Sequence, residues 1–217
     1  MNVLITGAAS RLGRAIAAEL GAGHRLRLLD STPVPPDKKA DFIQADLVDP
    51  EAVWQAVRGM DAVIHTGEPP LELPTDELEC EQYLLDYATR GTHVLFSAAI
   101  EAGIRRFIYG STLEIFRAYP DDIYISEMWK PCPTPEMASM SRYLGELTCR
   151  EFARDYMVSV TVLRLGKLVL EEEWDMPPST VSRTTGAHKK EGDCSISNIE
   201  CSMSNVQGAI HRLDIEH

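Results

Sequence analysis

The sequence predicts an α/β fold, a doubly wound parallel sheet, and three observations carry that expectation. Short apolar runs alternate with amphipathic stretches through residues 1 to 165, as strand-helix-strand units require. A glycine-bearing turn joins the first apolar run to the first amphipathic stretch. The segments "STPVPPDKKAD" and "GEPPLELPTDE" are rich in proline and charge and read as surface loops between units.

Taken in order, strands are expected at Asn2 to Ile5, Arg25 to Leu29, Phe42 to Ala45, Ala62 to His65, Arg105 to Tyr109 and Ser159 to Leu163. Helices are expected at Arg14 to Leu20, Pro50 to Gly59, Glu79 to Ala102 and Glu136 to Tyr156. In the third helix Leu84, Tyr87, Ala88, Gly91, Leu95 and Ala98 recur at three- and four-residue intervals and form one apolar face. After Leu170 periodicity fades into a Ser-, Thr-, Gly- and charge-rich stretch, expected to be a loosely ordered connection. It returns at Asn205 to Ile215, where Val206, Ala209, Ile210 and Leu213 suit a short closing helix. The expected division is a nucleotide-binding domain at 1–170 and a short irregular segment, ending in a helix, at 171–217.

Composition narrows the function. Acidic residues number 33 against 21 Lys and Arg, a formal charge of -12, so a phosphate backbone meets net repulsion and nucleic acid is not an expected partner. No apolar run approaches the roughly 18 residues of a membrane span, and Met1 leads directly into Val3-Leu4-Ile5, so no membrane association and a cytoplasmic location are expected. The five cysteines are widely spaced with no C-x-x-C pair, which argues against a disulfide framework. His188, Cys194 and Cys201 fit no closed zinc pattern, and no metal site is expected.

"NVLITGAASRLGRAIAAEL" sets a glycine turn between a buried strand and a helix, which lets main-chain N–H groups and the helix N-terminus face a pyrophosphate. Gly7 makes the tight turn and Gly13 allows close helix packing; with Ser10, Arg11 and Leu12 they are the candidate contacts. Ser10 stands where glycine is usual, and its side chain is a potential obstruction to the pyrophosphate. Asp30 ends the second strand, where an acid accepts hydrogen bonds from adenosine ribose hydroxyls and repels a 2'-phosphate, so NAD is favoured over NADP. Arg27 nearby and Arg11 in the turn are the countervailing cations. Asp46-Leu47 follows the third strand, either as a helix N-terminal turn before Pro50 or as an adenine contact.

The ordered series "TGAASRLG", "LLD", "ADLVDP", "DAVIHTG", "RGTHVLFSAAIEAGIRRFIYGST" and "VTVLRLG" resembles the extended short-chain dehydrogenase/reductase family, the NAD-dependent epimerase/dehydratase group, with uronate dehydrogenase-like members nearest. The resemblance implies a Rossmann-like fold, adenine contact by Asp46, and a cofactor lining from His65, Thr66 and Gly67. It places Arg164 in the turn after the sixth strand. It also implies a homodimer through helices 79–102 and 136–156, with Met140, Leu144, Leu147 and Phe152 as candidates for the shared face.

Departures from the family pattern concern catalysis. "GSTLEIF" puts Thr112 in the family's catalytic Ser/Thr position, with Ser111 before it. Aligning Ser141-Arg142 and Glu146 on the family's S-K-x-x-x-E segment sets Ala138 on the tyrosine and Arg142 on the lysine of Y-x-x-x-K, while Ala88 replaces the upstream asparagine. Carbinol oxidation needs a group that moves the hydroxyl proton; alanine has none, and arginine stays protonated while still able to hydrogen-bond ribose hydroxyls. No tyrosine has a lysine four positions later. Tyr143 lies about 140° around the helix from Ala138, and Tyr119, Tyr124, Glu127 and His65 are the other substitutes weighed. The C-terminus is expected to hold only a truncated substrate lobe. The expectation is a dinucleotide-binding protein with little or no classical activity. The alternatives are an enzyme on a sugar, uronate or nucleotide-sugar with a noncanonical acid/base, and an interaction module with an empty cofactor site.

Overall fold

A computed structural model describes residues 1–35, 40–120 and 122–166. The expected closing helix at 205–215 and the His188, Cys194 and Cys201 group lie outside the described residues. Among the described residues six strands, β1 (Asn2–Thr6), β2 (Arg25–Asp30), β3 (Ala40–Gln44), β4 (Ala62–His65), β5 (Arg106–Thr112) and β6 (Ser159–Leu165), form one parallel sheet in the order β3-β2-β1-β4-β5-β6. Strand order reverses between β1 and β4, and ligands in such sheets bind outside the carboxyl ends of the strands at that reversal.

Strand periodicity divides the core. Val3 and Ile5 face one side with Leu26, Leu28, Ile64 and Ile108, where α1 (Arg11–Leu20) adds Leu12, Ile16 and Leu20. Leu4, Leu29, Val63 and Phe107 point to the other side, packed by α2 (Pro50–Val57), α4 (Thr92–Glu101) and α5 (Met137–Tyr156). Burying alternate side chains of each strand on opposite layers is what fixes the pairing register.

Caps set the boundaries. Helix α1 begins at Arg11, three residues before the expected start, because the Ser10 hydroxyl accepts the Gly13 N–H at 2.9 Å. Asp49 accepts the N–H groups of Glu51 and Ala52 while Pro50 opens α2. That helix stops at Val57, short of the expected Gly59, which has φ +72°.

The expected single helix from Glu79 to Ala102 is interrupted. α3 (Glu77–Asp86) passes through a π-helical turn at Tyr87–Gly91 into α4. Thr89 Oγ1 donates to the Leu85 carbonyl at 2.7 Å, a back-bond that loosens a helix ladder. Gly91 packs directly on Leu47: a Cβ there would stand 3.1 Å from Leu47 Cδ2. The turn buries Tyr87, Ala88 and Gly91, whereas α3 buries none of its residues. Phe152 lies in the core beside Phe96, not on a free face, which corrects its expected place at a dimer contact.

Candidate functional site

The glycine turn is tied down on three sides. Gly7 and Ala8 donate to the Leu29 carbonyl at 3.1 and 3.4 Å, and the Ala9 N–H donates to Asp30 Oδ2 at 2.9 Å. Gly7 has φ +69°, and a Cβ on it would stand 2.1 Å from Thr66 Oγ1; a Cβ on Gly13 would stand 2.2 Å from the Gly7 carbonyl oxygen. Both glycines are therefore required by close approach. The Ser10 hydroxyl is turned into the helix, donating to the Gly7 carbonyl at 2.7 Å while it caps Gly13. The Ser10 oxygen is thereby used within the backbone of the turn. Helix geometry aims the N–H groups of Arg11 and Leu12 out of the N-terminus.

Asp30 is buried, and its second oxygen accepts the Thr32 N–H at 2.8 Å. Each oxygen of a carboxylate accepts more than one hydrogen bond, so both keep capacity for hydroxyl donors. A narrow crevice opens beside it, lined by Gly7, Leu29, Asp30, Ser31, Leu47 and Tyr87 among others. Asp46 is close by, accepting the Val48 N–H at 3.1 Å and the Tyr83 hydroxyl at 2.9 Å. It thus serves the local turn and also presents a carboxylate beside the crevice. Burial, then the bond to Asp46, push the Tyr83 phenol above its ordinary pKa, so it remains a donor.

Arg27 does not reach this site. Its guanidinium donates to the carbonyls of Ala56 at 2.9 Å and Arg58 at 2.8 Å, at the end of α2, so the expected cation near the ribose is corrected.

His65 is buried, with Nδ1 2.8 Å from Thr6 Oγ1 and Nε2 3.2 Å from Thr92 Oγ1. The Gly67 N–H approaches Nδ1 at 3.4 Å, which makes Nδ1 the acceptor and assigns the ring proton to Nε2. Burial first, and Arg142 second, lower its pKa to about 3. The imidazole is held neutral with both ring nitrogens engaged by threonine hydroxyls.

Beyond His65 the chain folds into a turn that closes the end of the sheet. Thr66 Oγ1 accepts the Glu68 N–H at 3.2 Å, and Gly67 adopts φ +67°. A Cβ on Gly67 would stand 2.2 Å from the Gly110 carbonyl oxygen and 2.7 Å from Arg142 Nη1. Arg142, on α5, therefore lies over Gly67, with Nη1 at 3.5 and 3.4 Å from the carbonyls of Thr66 and Gly110 and Nη2 at 2.9 Å from Glu68 Oε1. Sequence reasoning missed Glu68; a threonine-glycine turn that aims the next side chain was the available signal.

The structure gathers Gly7, Thr66, Gly67, Glu68, Gly110 and Arg142 at one edge. Thr112 is the last residue of β5, and its Oγ1 accepts the Glu114 N–H at 3.2 Å, keeping the hydroxyl hydrogen available as a donor. Ala138 is exposed on the first turn of α5, one turn before Arg142. Of the candidate substitutes, Tyr119 donates to the Lys130 carbonyl at 3.0 Å, and Tyr124 stands in solvent at 96 % exposure. The Glu127 carbonyl receives Arg164. Arg164 itself makes a two-pronged pair with buried Glu146, at 3.0 and 2.9 Å. Among the described residues no group of three His, Cys, Asp or Glu is placed to hold a metal ion, and no helix is long and apolar enough to cross a membrane.

Known proteins similar to this chain include several dehydrogenases. NAD-dependent glucose-6-phosphate dehydrogenase of Haloferax volcanii is 30% identical over 210 residues, which cover 88% of this chain and 76% of that protein. Uronate dehydrogenase of Pseudomonas putida is 29% identical over 168 residues, covering 76% of this chain and 60% of its own length. A tyrosine-to-alanine mutant of uronate dehydrogenase from Agrobacterium tumefaciens, complexed with NAD, superposes with a TM-score of 0.66 at 26% identity, covering 76% of this chain and 61% of that one. The chain thus spans about three-fifths of the uronate dehydrogenases it matches. Residues 3–194 match the profile of the NAD dependent epimerase/dehydratase family. With the parallel sheet, the glycine turn at its reversal point and these relatives in agreement, the chain belongs to the NAD-dependent epimerase/dehydratase family.

Proposed function

We propose that the chain binds NAD in the crevice beside Asp30 and has weak or no classical hydride-transfer activity. The observation that carries the cofactor reading is the buried Asp30 carboxylate, fixed by Ala9 and Thr32 N–H groups on the wall of the crevice that Gly7 also lines. An acid so placed accepts ribose hydroxyls and repels a 2'-phosphate, which favours NAD over NADP. Bound NAD would supply the hydride acceptor; this chain's residues supply orientation and little proton transfer. Ala138 carries no ionisable group, and Arg142 retains its proton at working pH. Thr112 keeps a hydroxyl that can orient a ligand oxygen. The relative that holds NAD with a tyrosine changed to alanine supports binding without a full set of tyrosines.

A second reading is an oxidoreductase on a sugar or uronate through a noncanonical acid/base. It is favoured by Glu68, a carboxylate at the mouth of the site, and by similarity to glucose-6-phosphate and uronate dehydrogenases. A third reading is an interaction module with an empty cofactor site, and the inward hydrogen bond of the Ser10 hydroxyl weighs against it. Pairing of two copies through the helices at 79–102, now α3 and α4 with the turn between them, and 136–156, now α5, is retained as a proposal.

Isothermal titration with NAD, NADH and NADP tests the cofactor reading, with Asp30→Ala alongside and its folding checked by circular dichroism. The expected result is NAD binding that is tighter than NADP binding and weakened at least tenfold in the variant. Equal affinity for NADP, or no binding of either cofactor to the native chain, would overturn it.

A further inference from the structure

Two of the arginine-carboxylate pairs at this end of the molecule are built differently. Arg164 and Glu146 use both carboxylate oxygens, and the Glu146 side chain is only 8% exposed. That pair is closed. Arg142 has a side chain 12% exposed, yet its acidic partner is Glu68, 42% exposed and engaged through one oxygen. The two backbone contacts of Arg142, at 3.4 and 3.5 Å, lie at the long edge of hydrogen bonding.

A guanidinium this enclosed is costly to leave without an anion. Glu68 therefore leaves only when another oxyanion takes its place. It is well placed to leave, because it sits at the end of a glycine turn with φ +67° and half of its side chain is in water. An incoming carboxylate or phosphate can meet the planar fork with two oxygens, whereas Glu68 uses one. We propose that Arg142 is the receptor for a small carboxylate or phosphate ligand, and that Glu68 is a built-in occupant which that ligand displaces. The residue that replaces a proton-relay lysine thereby becomes an anion-binding group. The inference rests on the cleft reading above for its location, but its test does not require NAD.

The full-length chain, labelled with nitrogen-15, is titrated with D-glucuronate, D-glucose 6-phosphate and neutral D-glucose while the Gly67 and Glu68 amides are followed by NMR. Both anions are expected to shift these signals saturably and glucose is not, and the stronger of the two identifies carboxylate or phosphate as the preferred chemistry. Glu68→Gln removes the competitor and tightens anion binding about two- to fivefold, the factor by which a part-exposed ion pair competes. Arg142→Gln weakens it by about tenfold or more, and Arg142→Lys recovers part of that loss, which excludes a general folding defect. No saturable response, an equal response to glucose, or indifference to both Arg142 variants would each overturn the proposal. Loss of NAD binding with the anion response intact would remove the cofactor reading and leave this one standing.

Discussion

Acidification should destabilise this chain through His65, and the size of the effect follows from its surroundings. The imidazole is buried between Thr6 and Thr92 and holds its proton-accepting nitrogen toward Gly67, so its pKa in the fold is about 3. In the unfolded chain it returns to about 6.5. The folded-state value is depressed, so the contribution is fully present above pH 6.5 and is lost as pH falls toward 3. Between pH 6.5 and 5 the unfolded state gains a proton that the folded state refuses, which costs about 2 kcal/mol at about 1.4 kcal/mol per unit. For a chain of this size that corresponds to a fall of about 4 to 8 °C in Tm. Urea unfolding at pH 7.5, 6 and 5 is compared between the native chain and His65→Asn. The asparagine variant starts less stable, but it lacks the titrating ring, so its loss over the same range is smaller by about 2 kcal/mol. Carboxylates titrate equally in both proteins and cancel from the comparison. Identical pH dependence in the two would refute the assignment of His65 as a buried neutral base.

Two further outcomes follow from packing. Gly7→Ala forces a side chain into a left-handed backbone at φ +69° and toward Thr66 Oγ1, and is expected to cost about 2 to 4 kcal/mol in urea unfolding; a cost under about 1 kcal/mol would contradict the close approach of the turn to β4. Glu146→Gln strands the Arg164 charge against a side chain only 8 % exposed and is expected to cost about 3 kcal/mol in urea unfolding; a cost under about 1 kcal/mol would contradict the reading of a closed pair.

The sheet was legible because parallel strands covered on both faces are written as short continuous apolar runs, and all six strands stand within a few residues of their expected places. The glycine turn was legible because Gly7 and Gly13 are demanded by backbone contacts that no other residue satisfies. Side-chain partnerships were less so. Ser10 turned inward and Arg27 turned toward α2 because each found a backbone partner in space, and linear sequence records no such partner. Arg142 could be aligned to the lysine position, but its pairing with Glu68 depends on a turn 74 residues away in sequence, where the conformation of Gly67 decides the direction. The buried state of His65 was equally hidden, since the same residue at the end of a strand reads as a site group until Thr6 and Thr92 close around it.

The π-helical turn at Tyr87–Gly91 has a mechanical meaning for the long helical arm it interrupts. One residue of a regular helix advances the phase by about 100°, so the wider turn works as an angular offset between α3 and α4. It lets α4 keep Leu95, Phe96, Ala98 and Ala99 against the sheet while α3 runs on with no buried residue of its own. Tyr87 and Ala88 sit at the changeover, where the offset swings the Tyr87 ring onto the wall of the crevice. Deleting a single residue from this turn would restore an unbroken helix and rotate everything before it, carrying Tyr83 away from Asp46. The arm is thus geared to the crevice, and its pitch, more than its amino-acid composition, decides which aromatic edge the crevice receives.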